Sequence, residues 1–486
     1  MTPFLPMVLA KRPPIECVRL DDEVRDVDAD GGPDDRCAPP GSGDTLPRMP
    51  NSPLSRRRFL QSVAATAAVA PFLSVRAKTA APTVRHASIG ASGQASYDLS
   101  QFAKHPAFEL VAVADVDLCR IEPLQQKFPK VRVYQDWRVL LKKERKNIDS
   151  VNVTVPDHMH FPIAMTAIKM GKSVYVQKPL CNTLHEVRLL TEEARRRKVT
   201  TQMGIQVSST KVQRYGEALV RSGIVGKIRE VHTFSNKNWG DDKPIVDAGD
   251  PVPAPFNWDE WLGVSEPRRF KRGAYHPGEW RRRIGFGTGT LGDMGCHIYS
   301  PPYRALQLTS PVSVTSYGPT PSSESWATKA RVKLTYPGTA YTADRTVDVW
   351  WYDGGEMPSA ELLQKVDGTV PPQGSIVVGT DGLLILPHVS PDPFVTPLEK
   401  MGSLPQIDLP DRDHYAEFID AVLARGTTCS AGFDYAGPLT ESVLIGNIAA
   451  RFPNETLEFD ARSLSFPRKR EANQYLTRAY RKGYGI

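Results

Sequence analysis

The sequence predicts an α/β protein in which a domain built on a doubly wound parallel sheet precedes a second α/β domain with a large, mostly antiparallel sheet. Between residues 83 and 206, short apolar strands alternate with helical segments, as in consecutive strand–helix–strand units. Between residues 207 and 486 this alternation stops, and from Val312 to Leu386 most of the chain predicts strands. The length of 486 residues is that of roughly two or three domains, which accommodates both.

The composition is typical of a globular protein with a sizeable core, because 40% of the residues are hydrophobic and 24% are charged. The formal net charge of +7 is mild, and no basic stretch is interleaved with aromatic residues. Nucleic acid is therefore not expected as a partner. The six cysteines are scattered singly, without a C-x-x-C pair, so we predict no metal site.

The first 77 residues are expected to lie outside the folded domains. Residues 1–48 are rich in Asp, Pro and Gly and lack apolar periodicity, which predicts disorder. Residues 49–77 contain three consecutive arginines, a short apolar run and a small-residue cleavage pattern, which resemble a twin-arginine signal peptide. An uncleaved amphipathic helix is the alternative. Since signals stand at the very N-terminus, we interpret Met49 rather than Met1 as the start, with residues 1–48 a mis-called extension. The protein is then expected to be exported to the periplasm, already folded, by the twin-arginine machinery.

A glycine-rich turn follows the first predicted strand, Val84–Ile89. The turn spans Gly90–Ala95, and a second apolar strand then ends at Asp115, 25 residues after Gly90. Glycines admit the pyrophosphate, the following helix offers it backbone amides, and the acid binds ribose hydroxyls. This order predicts a dinucleotide-binding Rossmann domain over residues 83–206.

The turn departs from the G-x-G-x-x-G pattern at two positions. Ser92 stands in place of the second glycine, next to Gly93, and Ala95 stands in place of the third. We predict that Gly90, Ser92, Gly93, Ala95 and Asp115 contact the cofactor. For the turn alone, a tight strand–helix connection without a nucleotide is the alternative.

Two further loops are predicted at the same edge of the sheet. The fourth strand, Ile148–Val155, runs into Thr154–His160, and the fifth ends at Gln177 and Lys178 because Pro179 cannot donate to a ladder. Carboxyl ends of parallel strands line one crevice, so Thr154, Pro156, His160, Gln177 and Lys178 are predicted cofactor contacts. Lys178 could also position a hydroxyl or stabilise its developing charge. An ordinary surface lysine is the alternative.

A second motif lies in the C-terminal half. A glycine-rich segment ends at Gly292, and a helix is predicted to begin near Leu291. Asp293 and His297 are four residues apart and therefore share one helix face. An acid and a histidine on one face suit proton transfer to a bound hydroxyl. The alternative is an acid placed for the helix dipole and a histidine packed in the core.

Together these motifs resemble the Gfo/Idh/MocA family of NAD(P)-dependent oxidoreductases, particularly its exported, planctomycete-type members. The resemblance covers about residues 83–486. Its motifs are Gly90–Ala95, Ala114–Asp117, Thr154–His160, Gln177–Pro179, Trp258–Leu262, Gly287–His297 and Phe433–Glu441.

The resemblance implies hydride transfer between a nicotinamide and a carbinol of a sugar, a polyol or a derivative, and a homo-oligomer. Residues 207–486 would form the substrate and oligomerisation domain. Lys178 matches the lysine of the family's Glu-Lys-Pro motif, and Asp293 and His297 match its D-x-x-x-H pair, with the histidine as general base. Two positions depart from the family pattern, since Gln177 replaces a glutamate and Ser300 an acid.

The expected cofactor is NAD, and we expect it to be tightly bound because an exported protein meets no free NAD. Asp115 favours NAD because its charge would repel a 2′-phosphate, whereas Arg120 softens that preference and leaves NADP as the alternative. Lys178, Asp293 and His297 are the predicted catalytic residues. Two other functions are weighed: a redox-assisted glycosidase that takes a hydride and returns it, and a non-catalytic sugar-binding protein.

Overall fold

The computed structural model describes residues 82–245, 249–424 and 428–485. The predicted disordered segment 1–48 and the predicted signal peptide 49–77 lie outside the described residues, so both stay predictions. No helix of the described ranges has the length and apolar character needed to cross a bilayer.

The N-terminal part contains a six-stranded parallel sheet with the strand order β3-β2-β1-β4-β5-β6. This order reverses between β1 and β4, as in doubly wound dinucleotide-binding sheets, and it confirms the predicted fold. The strands are β1 (Val84–Ile89), β2 (Phe108–Ala114), β3 (Arg132–Tyr134), β4 (Ser150–Val153), β5 (Ser173–Gln177) and β6 (Thr201–Gly204). The helices are α1 (Gln94–Phe102), α2 (Glu122–Lys127), α3 (Trp137–Glu144), α4 (His160–Lys169) and α5 (Leu184–Arg197).

The fourth strand is shorter than the sequence predicts. It was expected to extend over Ile148–Val155, whereas β4 ends at Val153. Thr154 still donates its amide to the carbonyl of Ile89. Two residues later stands Pro156, which has no amide hydrogen to donate to the sheet. The chain therefore leaves the sheet two residues early and turns into the crevice.

The C-terminal part is built on an eight-stranded sheet with the order β13-β12-β11-β7-β10-β9-β8-β14. All neighbouring strands are antiparallel except β7 and β10, which confirms a large, mostly antiparallel sheet. Its strands are β7 (Ile228–Ser235), β8 (Ser313–Ser316), β9 (Ala330–Pro337), β10 (Thr346–Asp353), β11 (Gln373–Gly379), β12 (Leu383–Pro387), β13 (Phe394–Thr396) and β14 (Thr456–Glu458). The helices are α6 (Lys211–Ser222), α7 (Trp258–Leu262), α8 (Gly289–Ala305), α9 (Ala360–Leu363), α10 (His414–Ala424) and α11 (Phe433–Ala449).

Helix α8 is the element that joins the two sheets. Every one of its residues except Arg304 is buried, so the helix has no face turned to solvent. It packs against α6 and α11 and lies across β7, β10 and β11. Met294 and Cys296 of α8 belong to one hydrophobic core with Val176 of β5 and Val377 of β11. This shared core fixes α8 against the carboxyl edge of the first sheet.

A separate aromatic cluster within residues 249–287 packs over the end of β2. Its members include Phe256, Trp258, Trp261, Tyr275 and Phe286. The amide of Asn257 donates to the carbonyl of Val116 at 2.9 Å, and His276 lies 3.1 Å from the carboxylate of Asp117. The loop after β2 is thereby held in place by the C-terminal part of the chain.

Candidate functional site

The turn between β1 and α1 has the backbone of a phosphate-binding loop. Gly90 has a φ of 104°, and a Cβ there would overlap the carbonyl oxygen of Thr154. Gly93 has a φ of 56°, caps α1 without a side-chain bond, and has open space where a Cβ would stand. The amides of the first turn of α1 are therefore not blocked by a capping side chain. A helix N-terminus approached by glycines suits a pyrophosphate.

Asp115, Ser92 and Arg120 lie together beside this turn. The carboxylate of Asp115 accepts from the amides of Ala91 at 2.9 Å and Asp117 at 3.0 Å. Burial raises the pKa of Asp115, and those backbone bonds oppose the rise. Arg120 Nε donates to Ser92 Oγ at 2.8 Å. The serine that replaces a glycine therefore ties the turn to the arginine predicted to modulate cofactor choice.

His160 connects the loops after β4 and β5. Its Nδ1 lies 2.8 Å from the carbonyl of Pro179, and its Nε2 lies 2.8 Å from the carbonyl of Val155. Both ring nitrogens thus face the protein backbone. His160 therefore holds the backbone at Pro179, which directly follows Lys178 and is joined to it by a cis peptide bond.

Lys178 and Asp293 form a buried ion pair across the two domains. Lys178 Nζ donates to Asp293 Oδ1 at 2.6 Å and to the Asp293 carbonyl at 2.9 Å. Asp293 is 7% exposed, and its Oδ2 accepts from Trp239 Nε1 at 2.8 Å. Burial opposes ionisation, but Lys178 and Arg281 outweigh it and hold the pKa of Asp293 well below its usual range. Asp293 is therefore a carboxylate whose two oxygens are held by its neighbours.

Two residues of this cluster, Trp239 and Arg281, were not predicted as site residues. Trp239 donates its amide to Thr290 Oγ1 at 2.7 Å, which places its indole beside Asp293. Arg281 lies over the Trp239 ring and 3.4 Å from Asp293 Oδ1. Both come from the irregular, Trp- and Arg-rich segment before α8, and this composition was the sequence feature that could have indicated them.

His297 lies one helical turn after Asp293 on α8. It is 7% exposed, and within the described ranges its Nδ1 has no hydrogen-bond partner. Burial lowers the pKa of His297 well below the usual histidine value, and the charge of Lys178 lowers it further. The imidazole is therefore neutral at neutral pH and able to accept a proton.

Two buried acids near Lys178 and Asp293, described in turn below, were also not predicted from the sequence. Asp98 on α1 accepts side-chain bonds from Gln94, Thr154, Gln177 and Tyr415. Burial raises the pKa of Asp98 to about 6, and these bonds oppose the rise.

Asp157, in the loop after β4, accepts from Thr288 Oγ1 at 2.6 Å. Burial raises its pKa to about 7, against the effect of that bond and of the charges of Arg281 and Lys178. Near neutral pH the folded protein therefore contains both the protonated and the ionised form of Asp157.

Ser300, three residues after His297 on α8, contacts another helix. Its Oγ is 2.9 Å from the hydroxyl of Tyr435 on α11. The residue that replaces the family's acid therefore packs α8 against α11. The structure brings Lys178, Asp293 and His297 together, and it places Gly90, Ser92, Gly93 and Ala95 in one turn.

Comparison with known proteins identifies the first domain. Residues 84–205 match the family model described as "Oxidoreductase family, NAD-binding Rossmann fold", that of Gfo/Idh/MocA. The levoglucosan dehydrogenase of Pseudarthrobacter phenanthrenivorans is 21% identical over 193 residues, which are 40% of this chain and 41% of that protein. The α-N-acetylgalactosaminidase of Shewanella oneidensis is 29% identical over 154 residues, 30% of this chain and 33% of that protein. The chain thus spans less than half the length of these curated relatives.

Solved structures share the fold over most of the chain. An NAD-binding protein from Listeria innocua aligns with a TM-score of 0.54 at 15% identity, covering 77% of this chain and 97% of that one. The aldose-aldose oxidoreductase of Caulobacter crescentus, complexed with glycerol, gives 0.52 at 16% identity, with coverages of 78% and 100%. Residues 84–205 therefore match the NAD-binding Rossmann-fold domain of the Gfo/Idh/MocA oxidoreductase family.

Proposed function

We propose that this protein is an NAD-dependent oxidoreductase that transfers a hydride between the nicotinamide and a carbinol of a sugar, a polyol or a derivative. The observation that carries the proposal is the group formed by partly buried Lys178 with buried Asp293 and His297 at the carboxyl edge of the Rossmann sheet. A lysine, an acid and a neutral histidine beside a dinucleotide site are the groups needed to deprotonate an alcohol.

The residues of the turn fit a dinucleotide. The pyrophosphate would lie against the turn, because the Gly93 cap leaves the first amides of α1 unblocked. The turn residues that would hold it are Gly90, Ser92, Gly93 and Ala95. Asp115 would hold the adenine ribose. Bound there, the nicotinamide supplies the hydride acceptor. Asp115 favours NAD, and Arg120 leaves NADP as the alternative cofactor.

Lys178 has one donor available for a substrate oxygen. An ammonium carries three N–H donors, and Lys178 directs two of them to Asp293. The third can bond the carbinol oxygen and stabilise the negative charge that develops as its proton leaves. In this arrangement Asp293 holds the ammonium in position, and we expect it also to orient the sugar.

His297 takes the hydroxyl proton. Its lowered pKa keeps the imidazole neutral, and its buried Nδ1 is not engaged by another described residue. In the reverse direction the same nitrogen returns the proton to the carbonyl oxygen of the oxidised product.

The names of relatives favour one second candidate. The match to an α-N-acetylgalactosaminidase supports a redox-assisted glycosidase, in which the sugar would be oxidised, eliminate its aglycone, add water and receive the hydride back. The match to a levoglucosan dehydrogenase supports the dehydrogenase. Both use the same acid–base group, and they differ in whether NADH accumulates.

Mass spectrometry of nucleotide released from the purified protein, followed by a panel of sugars, polyols and glycosides, tests the proposal. NADH formation from sugars or polyols supports the dehydrogenase, whereas aglycone release without net NADH supports the glycosidase. Protein that neither carries nor takes up nicotinamide would contradict both and indicate a non-catalytic sugar-binding protein.

Export to the periplasm by the twin-arginine machinery is part of the proposal. It is supported by the arginines at 56–58 and the short apolar run that follows them. Replacing Arg56 and Arg57 by lysine should keep the protein in the cytoplasm, which cell fractionation measures. We also propose a homo-oligomer, and light scattering of the purified protein should give a molar mass that is a multiple of that of one chain.

A further inference from the structure

A second histidine, His388, faces His297 in the candidate site. It follows β12, and its ring centroid lies 5.5 Å from that of His297, with the planes tilted by 53°. Both side chains are more than nine-tenths buried, at 5% and 7% exposure. In the part of the chain that the structure describes, neither Nδ1 has a hydrogen-bond partner. Two buried polar nitrogens at one place normally have partners, so this pair points to a polar ligand.

The charged residues that act on His388 are the same ones that act on His297. Burial, together with the charges of Lys237 and Lys178, lowers the pKa of His388 to about 4, against the effect of Asp293. Burial and the same three charges act on His297. His388 is therefore a neutral imidazole that offers one donor and one acceptor to the same pocket.

The backbone of His388 is fixed from two sides. Its amide donates to the carbonyl of Gln373 at 3.0 Å, and its carbonyl accepts from Gln213 Nε2 at 2.6 Å. Gln213 lies on α6, which packs against α8, the helix that carries His297. The two imidazoles are thus held by elements that are themselves packed together.

We propose that His388 contacts the substrate directly and that the site takes a vicinal diol, with His297 at the reacting hydroxyl and His388 at the hydroxyl of the adjacent carbon. This rests on the proposed function. A hydrogen bond spans about 3 Å between heavy atoms, so rings 5.5 Å apart are suitably spaced for hydroxyls on neighbouring carbons. A metal ion is the other usual ligand of paired histidines, but the described residues contain no group of three His, Cys, Asp or Glu able to hold one.

The test compares His388→Phe with the unaltered enzyme on matched substrates. Phenylalanine keeps a flat ring against His297 but has no nitrogen. The probes are myo-inositol, D-glucose and methyl α-D-glucoside, and then the monodeoxy analogues of whichever of them is oxidised fastest. Exposed His185 on α5 provides the control, His185→Phe, which should leave kcat/KM unchanged.

The expected result is a loss that depends on the adjacent hydroxyl. His388→Phe should lower kcat/KM for the parent diol about tenfold, mainly through KM, and should change little for the analogue that lacks the adjacent hydroxyl. The same cofactor content in both proteins shows that the fold is retained, and His388→Asn should recover part of the loss.

Two outcomes would overturn the inference. Equal losses on parent and deoxy analogue would make His388 a packing residue, and an unchanged kcat/KM on both would place it outside the substrate site. An unaltered protein that neither carries nor takes up nicotinamide contradicts the proposed function, and this inference with it. In an enzyme that is active, equal losses of kcat/KM on the parent and the deoxy analogue contradict this inference but leave the proposed function intact.

Discussion

The side-chain amide of Gln177 donates to both carboxylate oxygens of Asp98, at 3.2 and 3.0 Å. Gln177 ends β5 directly before Lys178, and Asp98 is fully buried on α1. The family that this chain resembles has a glutamate at position 177. Here α1 supplies the carboxylate that meets position 177, and the residue at 177 has become the donor to it.

Gln177→Glu should destabilise the protein, because it sets a second carboxylate against Asp98. We expect a loss of about 1–3 kcal/mol in the free energy of unfolding above the pKa of Asp98, which is about 6. The loss should shrink below that pKa, where Asp98 is protonated and can donate to the new glutamate. Urea unfolding on both sides of the pKa measures the difference.

The reversed pair is the control for this prediction. Adding Asp98→Asn to Gln177→Glu restores one carboxylate and one amide, and should recover part of the lost stability. If Gln177→Glu were equally destabilising on both sides of the pKa, repulsion between carboxylates would not be the cause.

His297→Ala should abolish most turnover and leave cofactor binding intact. Loss of a general base costs about 10²–10⁴ in kcat. His297 lies on α8, whereas the nucleotide turn is formed by β1 and α1. Steady-state kinetics and the amount of nicotinamide that co-purifies measure the two effects, with His185→Ala as the control. Equal losses of turnover and bound cofactor would contradict the role of His297 as base.

The pH dependence of kcat/KM should have its acid limb below 6.5, the ordinary histidine value. Burial and Lys178 lower the pKa of His297, so the neutral base persists to lower pH than an exposed histidine allows. Activity is therefore lost only when the pH falls through that lowered pKa. A plot of log kcat/KM against pH measures it, and a half-maximal value at or above 6.5 would exclude His297 as the titrating base.

The parts of the site that could be predicted from the sequence are those whose chemistry is local. Gly90, Asp115 and Lys178 each follow a strand within a few residues, and Asp293 and His297 share a helix face by spacing alone. Asp98 could not be predicted, because its donors Gln177 and Tyr415 are 79 and 317 residues away in the chain. His388 was missed for the same reason, since only packing against α8 brings it to His297.

Asp115→Ser should weaken NAD binding and narrow the preference for NAD over NADP. The substitution removes the charge that repels a 2′-phosphate, and Arg120 lies beside the same turn through its bond to Ser92. We expect a change of about tenfold in the ratio of the two dissociation constants, the effect of about one lost hydrogen bond or charge contact. Titration of nucleotide-free protein with each cofactor measures it, and Asp117→Ser, in the same loop, is the comparison. An unchanged ratio in Asp115→Ser would show that this carboxylate does not select the cofactor.

Asp157→Asn should make the protein's stability less dependent on pH. Burial raises the pKa of Asp157 from 3.8 to about 7, so between these values the folded state holds a proton that the unfolded state has released. The carboxyl therefore makes the protein less stable as the pH rises through this window, and asparagine cannot contribute to that loss. Relative to the unaltered protein, the variant should gain stability from about pH 4 to about pH 7, by at most about 4 kcal/mol. Its amide oxygen can still accept from Thr288, so the packing is retained. Urea unfolding over this range measures the gain, and curves that run parallel for the two proteins would mean that Asp157 titrates near its ordinary pKa.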